Sequence, residues 1–308
     1  MQSSNDLTYW FWIDSIKGLG PLRIKRLLLV FGNDLQRVFN LTRDQILSIK
    51  GIDDKIADAF IHSKSRLDQF EAMAVRQQEL AKKADGRMLH YLDTSYPQRL
   101  LSTTAGPPIL YVRGNPTNLL LEQLRVIAIV GTRRPSQAGI QASARLAGMF
   151  AQKGWVIVSG LAEGVDASAH RGSLAVNGRT IAVLGCGTDV VYPPSNRELF
   201  DRILGSGLIL SEYKFGTRPS EVTLKKRNKI TVGLSEAVLV VETGETGGTW
   251  NAIRAAGEQK KKVFVLEPQD SQSETIQGNL KLINERTGIP LNLDNAEDIV
   301  MKELGPCL

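Results

Sequence analysis

Val126-Ile127-Ala128-Ile129-Val130-Gly131-Thr132-Arg133-Arg134-Pro135 decides how this chain is read. Five apolar residues run without interruption into a glycine and two arginines. An apolar run with no polar alternation is what a strand buried on both faces requires. The same pattern recurs outward from it. Strand-like runs lie at 125–130, 155–159, 180–184, 207–210, 237–241 and 262–266. Helical patterns at 138–152, 165–176, 195–204 and 249–259 separate most of them, and 295–304 reads as a final helix. Buried strands alternating with helices predict an α/β fold: a doubly wound, mostly parallel, Rossmann-like sheet.

The chain before this block reads differently. Residues 1–85 carry apolar residues at helical spacing, as in Leu22, Ile24, Leu27 and Leu28, and predict a small all-helical domain. Two glycine turns in it, Lys17-Gly18-Leu19-Gly20-Pro21 and Lys50-Gly51-Ile52-Asp53-Asp54, resemble helix-hairpin-helix turns, whose backbone amides can face a phosphate. Asp53 and Asp54 oppose that role in the second. Residues 86–118 read as an ordered connector, with turn signals at Tyr96-Pro97, Pro107-Pro108 and Asn115-Pro116 and a short extended piece at 109–112. Residues 119–308 form the Rossmann-like domain.

Composition narrows the function. With 308 residues, 42% hydrophobic and 23% charged, the chain has material for two folded domains. Its net charge of +6 is uneven. Between 218 and 229, Arg218, Lys225, Lys226, Arg227 and Lys229 face a single acid, Glu221, which concentrates most of the excess and points to a polyanionic partner. Two cysteines, Cys186 and Cys307, and three histidines have no metal-ligand spacing, so no metal is expected. The absence of a leader pattern or a long apolar run predicts a cytoplasmic protein with no membrane association.

The candidate site residues follow strand ends. Gly131, Thr132, Arg133 and Arg134 form the first strand-to-helix turn, the usual anion site of an open parallel sheet. Ser159 and Gly160 close the neighbouring strand and are placed to complete an anion pocket. The run Lys225, Lys226, Arg227, Asn228 and Lys229 precedes the fifth strand and suits several phosphates better than one. Gly247, Gly248 and Thr249 open a later helix and form an additional anion site. No further glycine follows Gly131 until Gly139, and no phosphate-loop motif occurs, which disfavours a dinucleotide enzyme and an NTPase. Ser159, Asp166 and His170 do not make a hydrolase, because Ser159 lacks the nucleophile-elbow glycines. Asp166 reads instead as a helix cap or a partner of His170. No catalytic residue and no cofactor is predicted. Tyr213 and Phe215 are the nearest aromatics for base stacking.

Longer stretches carry a family resemblance. Ile129-Val130-Gly131-Thr132-Arg133, Val158 to Gly172 (VSGLAEGVDASAHRG), Ile181 to Pro193 (IAVLGCGTDVVYP), Leu210-Ser211-Glu212-Tyr213 and Arg227-Asn228-Lys229-Ile230 resemble the DNA-processing protein A family. The likeness covers about residues 90–305. It implies a homodimeric recombination mediator that binds single-stranded DNA in a basic pocket of an extended Rossmann fold, protects it, and assists a RecA-type recombinase in natural transformation. The chain departs from the family in three places. Leu224-Lys225-Lys226 stands where an aromatic-proline pair is common. Thr246-Gly247-Gly248-Thr249-Trp250 replaces a Ser-Gly-Ser turn. The chain stops at Leu308, where many members continue into a winged helix. These departures leave room for a divergent paralogue, for example in a phage-defence or mobile-element setting rather than in competence. The alternative is a nucleotide-binding sensor or phosphoribohydrolase-like protein on the same fold. Ala252 occupies the position of the latter's catalytic glutamate.

Overall fold

A computed structural model describes residues 4–114, 121, 123–268 and 273–305. The Asn115-Pro116 turn signal and Cys307 lie outside these. Nine strands form one sheet: β1 (Gly86–His90), β2 (Ile109–Gly114), β3 (Val126–Val130), β4 (Val156–Ser159), β5 (Thr180–Leu184), β6 (Leu208–Ser211), β7 (Ala237–Val240), β8 (Lys262–Leu266) and β9 (Ile289–Leu291). Their order is β1-β2-β6-β5-β4-β3-β7-β8-β9. The strands from β6 to β9 are parallel, whereas β1 and β2 join antiparallel at one edge. From β3 the chain winds outward through β4, β5 and β6, then returns to β7 on the other side. The reversal leaves a crevice at the carboxyl ends of β3 and β7, the switch point at which such sheets bind ligands.

The fold is the expected doubly wound one, with ends displaced by a residue or two. Alternation within β3 assigns its faces. Ile127 and Ile129 enter one buried cluster with Leu146, Phe150, Val165 and Ala169. Ala128 and Val130 enter another with Val232, Val238, Ala252 and Ala256. Helices Gln137–Gln152 and Val165–Ala175 cover the first face. They approach so closely that a β-carbon on Gly172 would stand 2.1 Å from the Ala144 carbonyl oxygen. Gly172→Ala is therefore expected to cost about 1–3 kcal/mol by overpacking against backbone that cannot rotate away. Urea unfolding of the variant measures it, and a loss within error of zero would mean that the helices separate freely.

The helical N-terminal region shares a core with the sheet. Trp10, Phe60 and Phe70 belong to the same buried cluster as Leu110, Val158, Val183 and Leu210. Trp10 stacks on His90 of β1 at 4.8 Å. The Gln77 amide accepts from the Phe215 N–H at 2.9 Å and donates to the Phe215 carbonyl at 3.3 Å. The two glycine turns lie side by side. Gly18 and Gly51 both adopt positive φ, and Arg23 donates to both of their carbonyls, at 2.9 and 2.5 Å. The Asp53 carboxylate caps helix Asp54–Ser63 through the Ile56 amide. Among the described residues, no helix is long and apolar enough to cross a membrane.

Candidate nucleic-acid interface

A cavity of about 750 Å³ opens at the β3–β7 switch point. Its walls come from separate elements: Gly131, Thr132 and Arg133 after β3, Gly160 after β4, Lys225, Arg227 and Asn228 before β7, and Thr246 to Thr249 after it. Four cationic side chains (Arg133, Lys225, Arg227 and Arg254) line it against two acids, Asp166 and Glu221. Spacing the cations around a concave surface concentrates positive potential more than a flat cluster would.

The turn after β3 is braced from below. A β-carbon on Gly131 would lie 2.5 Å from Val165 Cγ2 and 2.8 Å from the Glu242 carbonyl, so this glycine serves close packing of the turn on its neighbours. The Thr132 amide donates to the Glu242 carbonyl at 2.7 Å, and the Thr132 carbonyl accepts from Val165 at 3.2 Å. The Thr132 peptide groups are thus committed, and the exposed Arg133 side chain adds a cation to the turn. Arg133 reaches the cavity. Arg134 is exposed but does not line it.

Arg227 differs from the rest of its run. The segment folds as two short helices, Glu221–Lys226 and Asn228–Leu234, with Arg227 at the joint. The joint turns its side chain inward, where it is buried. It donates to the Val183 carbonyl at 2.6 Å and sits 3.4 Å from the Asp166 carboxylate. Burial pulls the guanidinium's pKa down and pushes the Asp166 carboxyl up, and each charge opposes the other's shift. Asp166 also accepts from the Gly160 amide at 3.2 Å. A β-carbon on Gly160 would fall 1.5 Å from the Arg227 guanidinium, so the missing side chain there is what admits Arg227.

Several expected contacts are replaced by others. Asp166 pairs with Arg227 and not with His170, whose Nδ1 lies 2.7 Å from Thr180 Oγ1. Ser159 is fully buried and gives its hydroxyl proton to the Ile129 carbonyl, so it supports the pocket floor without lining it. Lys225 pairs with Glu221 one helical turn away, and Lys229 pairs with Glu212 at 2.9 Å, outside the cavity. Lys226 is exposed elsewhere. Three of the four cations of the run are thus paired with acids, Lys225 within its own helix and Arg227 and Lys229 with other elements. Phe215 packs edge-on against Tyr111 in the core and is no platform for a base. Burial pushes the Cys186 thiol up to about 12, which leaves it protonated and inert.

The Thr246–Thr249 turn forms a further wall of the cavity. Gly247 has a φ of +121°, open to glycine and rare for other residues. The Asn228 and Asn251 side chains both donate to the Gly248 carbonyl at 3.2 Å, which ties the turn to the basic helices. Trp250 donates its indole N–H to the Gly244 carbonyl at 2.9 Å and holds the loop from its other end. Sequence reasoning missed Arg254 and Tyr192, which both line the cavity. Arg254 sits on the polar face of helix Thr249–Glu258, opposite the buried Ala252, Ala255 and Ala256. The pattern of small residues around it was the available signal. Among the described residues, no group of three or more His, Cys, Asp or Glu side chains is arranged to hold a metal ion.

Residues 87–302 match the model of the DNA recombination-mediator protein A family. This chain belongs to that family. It is 35% identical to Protein Smf of Synechocystis over 283 residues, which covers 92% of this chain and 69% of that protein. The structure of DNA processing protein A from Streptococcus pneumoniae superposes with a TM-score of 0.77 at 28% identity, over 94% of this chain and 97% of that one. A Helicobacter pylori DNA processing protein A structure, described for its single-stranded DNA binding mode, superposes with a TM-score of 0.61 at 30% identity. It covers 71% of this family member and 96% of its own chain. Across the first four curated relatives, the match spans 45–69% of their own length.

Proposed function

We propose that this protein is a recombination mediator of the DNA-processing A type, which binds single-stranded DNA in the switch-point cavity and carries out no chemistry itself. The observation that carries this reading is the placement of Arg133, Lys225 and Arg254 on three different elements around one cavity, with the buried Arg227 beside Lys225. That arrangement suits successive phosphates of a strand, and the Helicobacter relative is described as a single-stranded DNA binder. Ser159 and His170, which a hydrolase reading would pair, are both buried and do not line the cavity. The further expectations are a homodimer, a cytoplasmic setting, and delivery of the bound strand to a RecA-type recombinase, all of which rest on the family.

Titrating oligo-dT, duplex DNA and free nucleotides at two salt concentrations tests the reading. Oligo-dT should bind best, and its log–log salt slope should be about −0.7 per neutralised phosphate. Arg133→Ala and Lys225→Ala should each weaken binding and flatten the slope by roughly 0.7. A slope near zero, with free nucleotides bound as tightly as the strand, would favour a nucleotide sensor. Protection of the bound oligonucleotide from nuclease, and recombinase loading onto it, test the mediator role.

A further inference from the structure

We infer that Tyr192 is the platform on which one base of the bound strand stacks. The inference rests on the single-strand reading of the cavity. Phosphate neutralisation alone leaves the bases without a partner, and general single-strand binders supply aromatic faces for them. Sequence offered Tyr213 and Phe215 for this, and the structure places Phe215 in the core. Among the described lining residues of the main cavity, Tyr192 is the aromatic one.

Three observations support it. Tyr192 lines both the main cavity and a narrower annex beside it, so it stands where one opens into the other. Its ring is half-buried: part rests on the apolar cluster of Leu161, Leu184, Leu199 and Phe200, which holds it in place. No aromatic ring, cation or hydrogen-bond partner engages it among the described residues, so neither the exposed part of the ring nor the hydroxyl is already committed. Leu224 also lines both spaces and supplies an apolar wall in the same annex. Arg133 and Arg227 line both spaces, so a base stacked on the main-cavity side of Tyr192 keeps its flanking phosphates near the cationic side chains. An aromatic face with an aliphatic neighbour accepts any base, which suits a protein with little sequence preference.

The test compares oligo-dT with an abasic sugar–phosphate chain of equal length and charge. The wild-type protein should prefer oligo-dT by on the order of tenfold. Tyr192→Leu keeps the apolar contact with the core and removes the aromatic face, so the preference should fall toward one while the salt slope persists. Tyr192→Phe should rescue the preference, because the hydroxyl has no partner. A thermal melt of each variant checks that it is folded. Should Tyr192→Leu retain the full preference, the platform lies elsewhere and the inference fails. Failure of the single-strand reading itself looks different: neither polymer would then bind with a salt-dependent affinity.

Discussion

Arg227→Ala is expected to destabilise the fold by about 3–5 kcal/mol, before any effect on a ligand can be read. The side chain is 4% exposed. Its removal leaves the Asp166 carboxylate, 6% exposed, without its counter-charge, and strips a donor from the Val183 carbonyl of β5. An uncompensated buried charge costs far more than the pair contributes when intact. Two consequences separate this account from one in which Arg227 is a phosphate ligand alone. Asp166→Leu should be destabilising as well, although Asp166 repels an anion. The double variant Arg227→Met/Asp166→Leu should be more stable than the sum of the two single losses predicts, because an apolar pair of similar volume needs no partner. Urea unfolding of the wild type, Arg227→Met, Asp166→Leu and the double variant measures the cycle. Additive losses, or a single-site loss below about 1 kcal/mol, would show that the pair is not coupled. Arg227 therefore makes a poor probe of binding, and the exposed Arg133 a good one.

The same residue marks how far sequence reading reaches. The strands from β3 to β8 were legible because a strand buried on both faces must be apolar throughout, and that leaves a continuous signature. The edge strands were not. Gly86-Arg87-Met88-Leu89-His90 mixes burial and exposure, and Ile289-Pro290-Leu291 is three residues long with a proline that only an edge tolerates. The site's backbone was legible for a related reason: glycines at strand ends mark close approach, as at Gly131 and Gly160. What local sequence could not give was the state of the charges. Whether Lys229 faces a ligand or Glu212, and whether Arg227 points outward or toward Asp166, depends on elements 17 to 61 residues away. A linear count of cations overstates the cationic wall wherever distant acids fold against it. It also misses Arg254, which comes from helix Thr249–Glu258 after β7.

The buried His170 should make the protein acid-labile from about pH 6.5 downward. The Thr180 hydroxyl gives its proton to the Ile157 carbonyl at 2.9 Å, so in its 2.7 Å contact with His170 it must accept from Nδ1–H. The other ring nitrogen, Nε2, is then bare, and no hydrogen-bond partner faces it among the described residues. A proton there would be a buried charge without an acceptor, further repelled by Arg227 and Arg171. Burial is the largest cause and pushes the pKa down to about 3. The sign of the linkage follows. In the unfolded chain the imidazole takes up a proton near pH 6.5, whereas in the folded protein it does so only near 3. Between those values the unfolded state binds the extra proton, so stability is lost as pH falls through the window and not further below it. The slope approaches about 1.4 kcal/mol per pH unit, and the whole window amounts to roughly 5 kcal/mol. Asp166 acts in the opposite direction, since its raised folded pKa favours the folded state on acidification, and the other carboxylates add their own slopes. Comparison with His170→Leu isolates the imidazole, because Thr180 keeps its bond to Ile157. Urea unfolding at intervals from about pH 7 to pH 4 should give a variant curve that falls less steeply than the wild type by about 1 kcal/mol per unit. Parallel curves would mean that water reaches His170 and that the folded imidazole titrates near its ordinary value.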